Sequence, residues 1–144
     1  MNKSVKKQKV QVPMVIHGTN PASETAQTPG MTRLPGIDNN IAGATKIWMG
    51  FAISHPKEMG PPHTHGPAET AAYVLEGRQK VWFGEDFQES IEAGPGDFIF
   101  VPAHTPHIEG NPFDEPCKVV LSRGPDNIVI DLPESRINLP GSGK

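Results

Sequence analysis

The sequence predicts an all-β domain, with two antiparallel sheets rolled into a barrel. Three observations point there. Sixteen Pro and fifteen Gly in 144 residues interrupt nearly every window long enough for an amphipathic helix. Short apolar runs recur along the chain, each bounded by turn residues, as in sandwiches and barrels. No alternation of strand and helix appears, so a doubly wound parallel sheet is not expected, and there is no solenoid-type repeat.

In chain order, residues 1–9 carry Lys3, Lys6, Lys7 and Lys9 and read as a flexible basic arm. Val10, Val12, Met14 and Ile16 alternate and predict a strand, at a sheet edge because Pro13 lies inside it. Residues 18–45 lack periodicity and read as one long loop, either a lid, an interface arm or a plain surface excursion. KIWMGFAIS follows, alternating Ile47, Met49, Phe51 and Ile53. AAYVLEG and RQKVWFG form two strands broken at Gly77, and FQESIEA ends at the turn GPGD. DFIFVP, HIEG, CKVVLSRG and NIVIDL complete the set. One barrel over residues 10–135 is expected, with a flexible tail at 136–144.

The charge balance limits function. A formal net charge of −3 and a pI near 6.0 argue against nucleic acid, which needs a basic face. No apolar run approaches a membrane span, and the basic start lacks the apolar stretch of a secretory signal. Cys117, the single cysteine, reads as a buried strand thiol. The expectation is a cytoplasmic protein.

Four of the six His fall in two clusters: His63 and His65 in PPHTHGPAET, and His104 and His107 in VPAHTPHIEGN. Residues i and i+2 of a strand share a face, so His63 and His65 can both point inward. Neutral imidazoles suit Fe, Mn, Zn, Ni or Cu, and an added carboxylate lowers the site's charge while leaving positions for water or substrate.

The stretch from His63 to Gly77 resembles the first cupin motif, H-x-H-x(3,4)-E-x6-G. The stretch from Gly96 to Asn111 resembles the second, with Gly96, Pro102, His107 and Asn111 on pattern. The resemblance implies a double-sheet barrel of the cupin or jelly-roll type. It also implies one divalent transition metal ion per chain, held by His63, His65 and His107 with Glu69 as fourth ligand. Seven residues separate Glu69 from Gly77 where the family has six. Counting back from Gly77 places Thr70 in that slot, and counting forward from His65 places Glu69 there. Threonine is a poor ligand for these metals, so Glu69 is preferred, and a three-histidine site is the alternative. His104 stands where the motif has Gly, as a solvent-exposed turn residue or a group facing substrate.

Gln79 shares a face with Val81 and Phe83 and is a candidate to meet substrate or neighbouring backbone. Trp82 then points outward, as an interface or second-sheet contact. Tyr73 and Phe98 are candidate pocket walls, and Asp97 belongs to a turn. No nucleophile elbow, P-loop or CxxC is present. The expected function is a metal-dependent enzyme on a small oxygenated molecule, of dioxygenase, isomerase or decarboxylase type. The alternative is a non-catalytic metal-containing binder or sensor. The outward Trp82 and exposed sheet edges suggest a homodimer.

Overall fold

The computed structural model describes residues 12–18 and 25–133. The strands are β1 (Met31–Ile37), β2 (Trp48–Ser54), β3 (Glu58–Met59), β4 (His63–Thr64), β5 (Glu69–Glu76), β6 (Gln79–Phe83), β7 (Glu89–Ala93), β8 (Phe98–Val101), β9 (His107–Asn111), β10 (Cys117–Gly124) and β11 (Ile130–Asp131). One short helix, α1 (Asn39–Ala42), follows β1 and is capped by the Asp38 carboxylate, which accepts from the Ile41 N–H.

All strand pairings are antiparallel. The first sheet runs β1-β2-β10-β5-β8, and the second runs β11-β4-β9-β6-β7 with β3 also on β9. The two sheets enclose an apolar core of Met31, Trp48, Ala52, Ala72, Val74, Ala93, Ile99, Val101, Cys117, Val119 and Leu121. This is the all-β double-sheet fold that the turn-rich sequence predicted. Cys117 is fully buried, and burial pushes its thiol up to about 11.

Gly77 shows why the first motif ends on glycine. Its φ is +73°, and a Cβ there would collide with the Pro116 carbonyl at the start of β10. Asn111 closes the second motif structurally. Its Nδ2 donates to the Ser54 and Glu115 carbonyls, and its Oδ1 accepts from the Phe113 N–H. Asp97 accepts from the Gly94 N–H, as turn chemistry demands.

Several local expectations need correction. The stretch 18–45 is not one loop, because β1 and α1 lie inside it. The strand was hidden because its inward residues are Met31, Arg33 and Pro35, which break the apolar pattern. Pro35 is tolerated because β1 is an edge strand with a register shift at that point. Residues 12–16 form no strand, and residues 10 and 11 lie outside the described residues, as do the 1–9 arm and the 136–144 tail.

The alternation in β2 is inverted. Trp48, Ala52 and Ser54 are buried, while Ile47 and Met49 are exposed. The Trp48 ring supplies the interior volume, packing over Gly50, where a Cβ would lie 2.8 Å from the Trp48 Cη2. Trp82 faces away from the first sheet but is covered by its own chain. It packs with Phe87, Ile108 and Met59.

Candidate metal centre

β4 and β9 bring the imidazoles together. His63 pairs directly with His107 across these strands, and His65 lies two residues beyond His63. The period of two then points His63, His65, His107 and Glu109 to one interior space. Ring centroids are 4.8 Å apart for His63–His65, 4.5 Å for His63–His107 and 5.1 Å for His65–His107. One nitrogen from each ring and one Glu109 oxygen lie within 4.8 Å of one another, and all four residues are buried.

Each ring is oriented the same way. Nδ1 of His63 donates to the Pro61 carbonyl at 2.9 Å, that of His65 to Ile128 at 2.6 Å, and that of His107 to Thr105 at 2.9 Å. These bonds fix ring direction and leave Nε2 facing the interior, as in metal-ligating histidines. Nε2 of His63 and of His65 have no hydrogen-bond partner. Nε2 of His107 lies 3.1 Å from Glu109 Oε1, and that of His65 lies 3.9 Å from it. Buried ring nitrogens without a partner, set beside a carboxylate, call for a positive charge between them. The donor set therefore fits a cation.

Burial pushes His63 down to about 4 and also lowers His65. Both are thus neutral, as ligands must be, at ordinary pH. Burial alone would raise Glu109, but its contacts with the His107 and His65 rings outweigh burial and hold the carboxyl well below the usual range.

The carboxylate in this group is Glu109, not Glu69. β5 begins at Glu69 with its side chain exposed and Thr70 buried. The turn closed by the Ala68 N–H on the His65 carbonyl takes up the extra residue of the first motif. That register points Thr70 inward, where its Oγ1 accepts from Arg123 Nε at 2.6 Å. Glu109 was within reach of the sequence: H-I-E on a strand puts His107 and Glu109 on one face, by the same rule used for His63 and His65.

The remaining candidates separate. Gln79 is buried and lines an interior cavity with Arg33, Glu109 and Arg123. Tyr73 and Phe98 do not wall the pocket. They meet on the outer face of the first sheet, with ring centroids 4.9 Å apart, and Phe98 is 81% exposed. They alternate with the inward Ala72, Val74 and Ile99, so strand period excludes them from the interior. His104 is an exposed turn residue with φ +56°, and its N–H donates to the Gly66 carbonyl at 2.7 Å. Arg33 and Arg123, both buried, were not singled out by the sequence.

The family model described as a Cupin domain matches residues 50–123, which hold all four candidate ligands. The chain belongs to the cupin family. A curated relative, "Polyketide synthase CurC" of Streptomyces cyaneus, is 34% identical over 84 residues. That alignment covers 58% of this cupin and 52% of the relative, so the chain spans about half the relative's length. Among solved structures, the polyketide cyclase RemF from Streptomyces resistomycificus superposes with a TM-score of 0.69 at 24% identity, covering 86% of this chain and 88% of that one. Oxalate decarboxylase from Bacillus subtilis gives 0.61 at 22% identity, covering 76% of this chain and 30% of that one. These two likenesses concern the fold. Among the described residues no helix is long and apolar enough to cross a membrane.

Proposed function

We propose that this cupin is a metal-dependent enzyme acting on a small oxygenated molecule, with His63, His65, His107 and Glu109 as ligands of one divalent transition metal ion. The observation that carries this is the buried group of three imidazoles and one carboxylate, whose ligand atoms lie within 4.8 Å of one another, with Nε2 of His63 and of His65 lacking any partner. Thr70 and Glu69 take no part. When bound, the ion supplies Lewis-acid polarisation of a substrate oxygen.

The chain's own residues do the rest. The carbonyls of Pro61, Thr105 and Ile128 hold the rings in register. Arg33 Nη2 faces Glu109 Oε2 across 3.7 Å, an ion-pair distance that leaves both groups free to meet a substrate. Gln79 offers an amide to whatever enters. The relatives named for polyketide cyclisation and oxalate decarboxylation support substrates that present carbonyl or carboxylate oxygens.

Elemental analysis of the purified chain, before and after chelation, tests this reading. About one transition-metal ion per chain is expected, and its removal should lower Tm, because binding to the folded state stabilises it. A metal-free protein whose Tm ignores added Mn, Fe, Zn, Ni and Cu would contradict it. Product formation from a 1,3-dicarbonyl or dicarboxylate marks an enzyme. A ligand-induced rise in Tm without product marks a binding cupin instead.

A further inference from the structure

The wall opposite the imidazoles carries two buried cations. Arg33 is 0% exposed and Arg123 is 2% exposed. Burial pulls both guanidiniums down, Arg123 to about 9, with Glu109 opposing, and arginine stays charged at neutral pH. Glu109 is the one buried carboxylate among the described residues. Two guanidiniums against one carboxylate leave the interior at +1, and a bound divalent ion would take it to +3. Buried charge of one sign calls for a counter-charge.

The two arginines differ in how they are satisfied. Arg123 is anchored within the chain: Nε donates to Thr70 Oγ1 at 2.6 Å and Nη1 donates to Asn127 Oδ1. Asn127 is tied in turn to Thr25 Oγ1 at 2.7 Å and to the Ala26 carbonyl at 2.8 Å. Arg33 uses only part of its fork. Nη1 donates to Thr28 Oγ1 at 2.6 Å and reaches the Ala26 carbonyl at 3.5 Å. Nε and Nη2 have no hydrogen-bond partner, and 3.7 Å from Nη2 to Glu109 Oε2 is an ion-pair distance only.

Those two nitrogens form one edge of the guanidinium, the edge that takes a pair of oxygens in a bidentate contact. Arg33 lines a cavity with Gln79, Glu109 and Arg123 that holds about 20 Å³. That is room for about one or two oxygen-sized atoms.

We propose that the Nε–Nη2 edge of Arg33, backed by Arg123, is a recognition site for an anionic oxygen group of the substrate, a carboxylate or the enolate of a 1,3-dicarbonyl. This rests on the metal centre proposed above. Arg33 is a carboxylate's length from the imidazole cluster: Glu109 Oε2 is 3.7 Å from Nη2, and Oε1 of the same group is 3.1 Å from His107 Nε2. A substrate that places an anionic oxygen pair on that edge lies beside Glu109, whose other oxygen faces the cluster. The site selects such a molecule over a neutral one of the same shape, because only the anion supplies the missing charge.

Isothermal titration of the full chain with acetate, acetylacetone and the neutral isostere acetamide tests the proposal. Each is run on metal-free and Zn-loaded protein, for wild type, Arg33→Met and Arg33→Lys, with zinc content measured in every sample. Acetate or acetylacetone should bind wild type, and which of them binds tells carboxylate from enolate recognition. Arg33→Met should weaken that binding about 10- to 100-fold with zinc content unchanged, Arg33→Lys should weaken it less, and acetamide should not bind. Arg33→Lys retains a cation in the site and decides the matter if Arg33→Met does not fold. Equal affinity in wild type and variants at full zinc content, or binding of neither anion, overturns the proposal and leaves the metal reading intact. Anion binding that depends on Arg33 in a chain that takes no zinc sustains this site and removes the metal centre.

Discussion

The two interior walls satisfy their polar groups in different ways. On the second sheet, each imidazole is bonded on its Nδ1 side to a backbone carbonyl, and Nε2 of His63 and of His65 is left open. On the first sheet, Arg123 is bonded to side chains, and Arg33 keeps one edge free. Between the walls lies an apolar cluster that includes Trp48, Val74, Cys117 and Leu121. Nearly all buried polar groups in proteins find partners. Open valences on both walls, with Glu109 between them, therefore mark a place where something else belongs.

The largest expected effect separates the walls outright. His107→Ala removes a ligand and should lower metal affinity more than 100-fold, beyond the roughly 10- to 100-fold typical of changes behind the ligands. Thr70→Val, on the opposite wall, removes the acceptor of Arg123 Nε. It should cost about 1–3 kcal/mol in denaturant unfolding and leave metal content unchanged. Loss of metal in Thr70→Val would make Thr70 a ligand after all.

A pH series sharpens the comparison. His63 is drawn down to about 4 from an ordinary value of 6.5, chiefly by burial. Between those values the unfolded chain binds a proton that the folded chain refuses. The stability of the metal-free protein should therefore be full above pH 6.5 and fall as pH drops toward 4. The lowered His65 and Glu109 act in the same direction. Thermal melts across that window check it, and a flat profile would mean the imidazoles are solvated.

The smallest expected effect lies outside the interior. The first sheet's outer face exposes Phe98 at 81%, Phe100 at 59% and Met49 at 41%, whereas the second sheet covers Trp82 with its own chain. An apolar face of this kind favours self-association, and a homodimer is the expected state. Light scattering should show a dimer that Phe98→Ser with Phe100→Ser weakens. A wild-type monomer contradicts it.

The sequence made the double-sheet fold and the histidine convergence legible, since both follow from turn spacing and a period of two. The fourth ligand was not legible in the same way. Glu69 and Thr70 differ by one position, and only the turn at residues 65–68 decides which faces inward. Glu109 obeyed the strand rule, yet the first motif drew attention to Glu69. Arg33 was hidden more deeply. An inward cation beside Pro35 and Gly36 looks like loop, because its charge partner Glu109 lies far along the chain and leaves no local pattern.

Competitive zinc titration of wild type, Glu109→Gln and Glu69→Gln tests the central claim most directly. Glu109→Gln should lose at least about tenfold in affinity, and Glu69→Gln should match wild type. The reverse order would show that the carboxylate ligand sits at the start of β5 and that the interior arrangement derived for Glu109 is wrong.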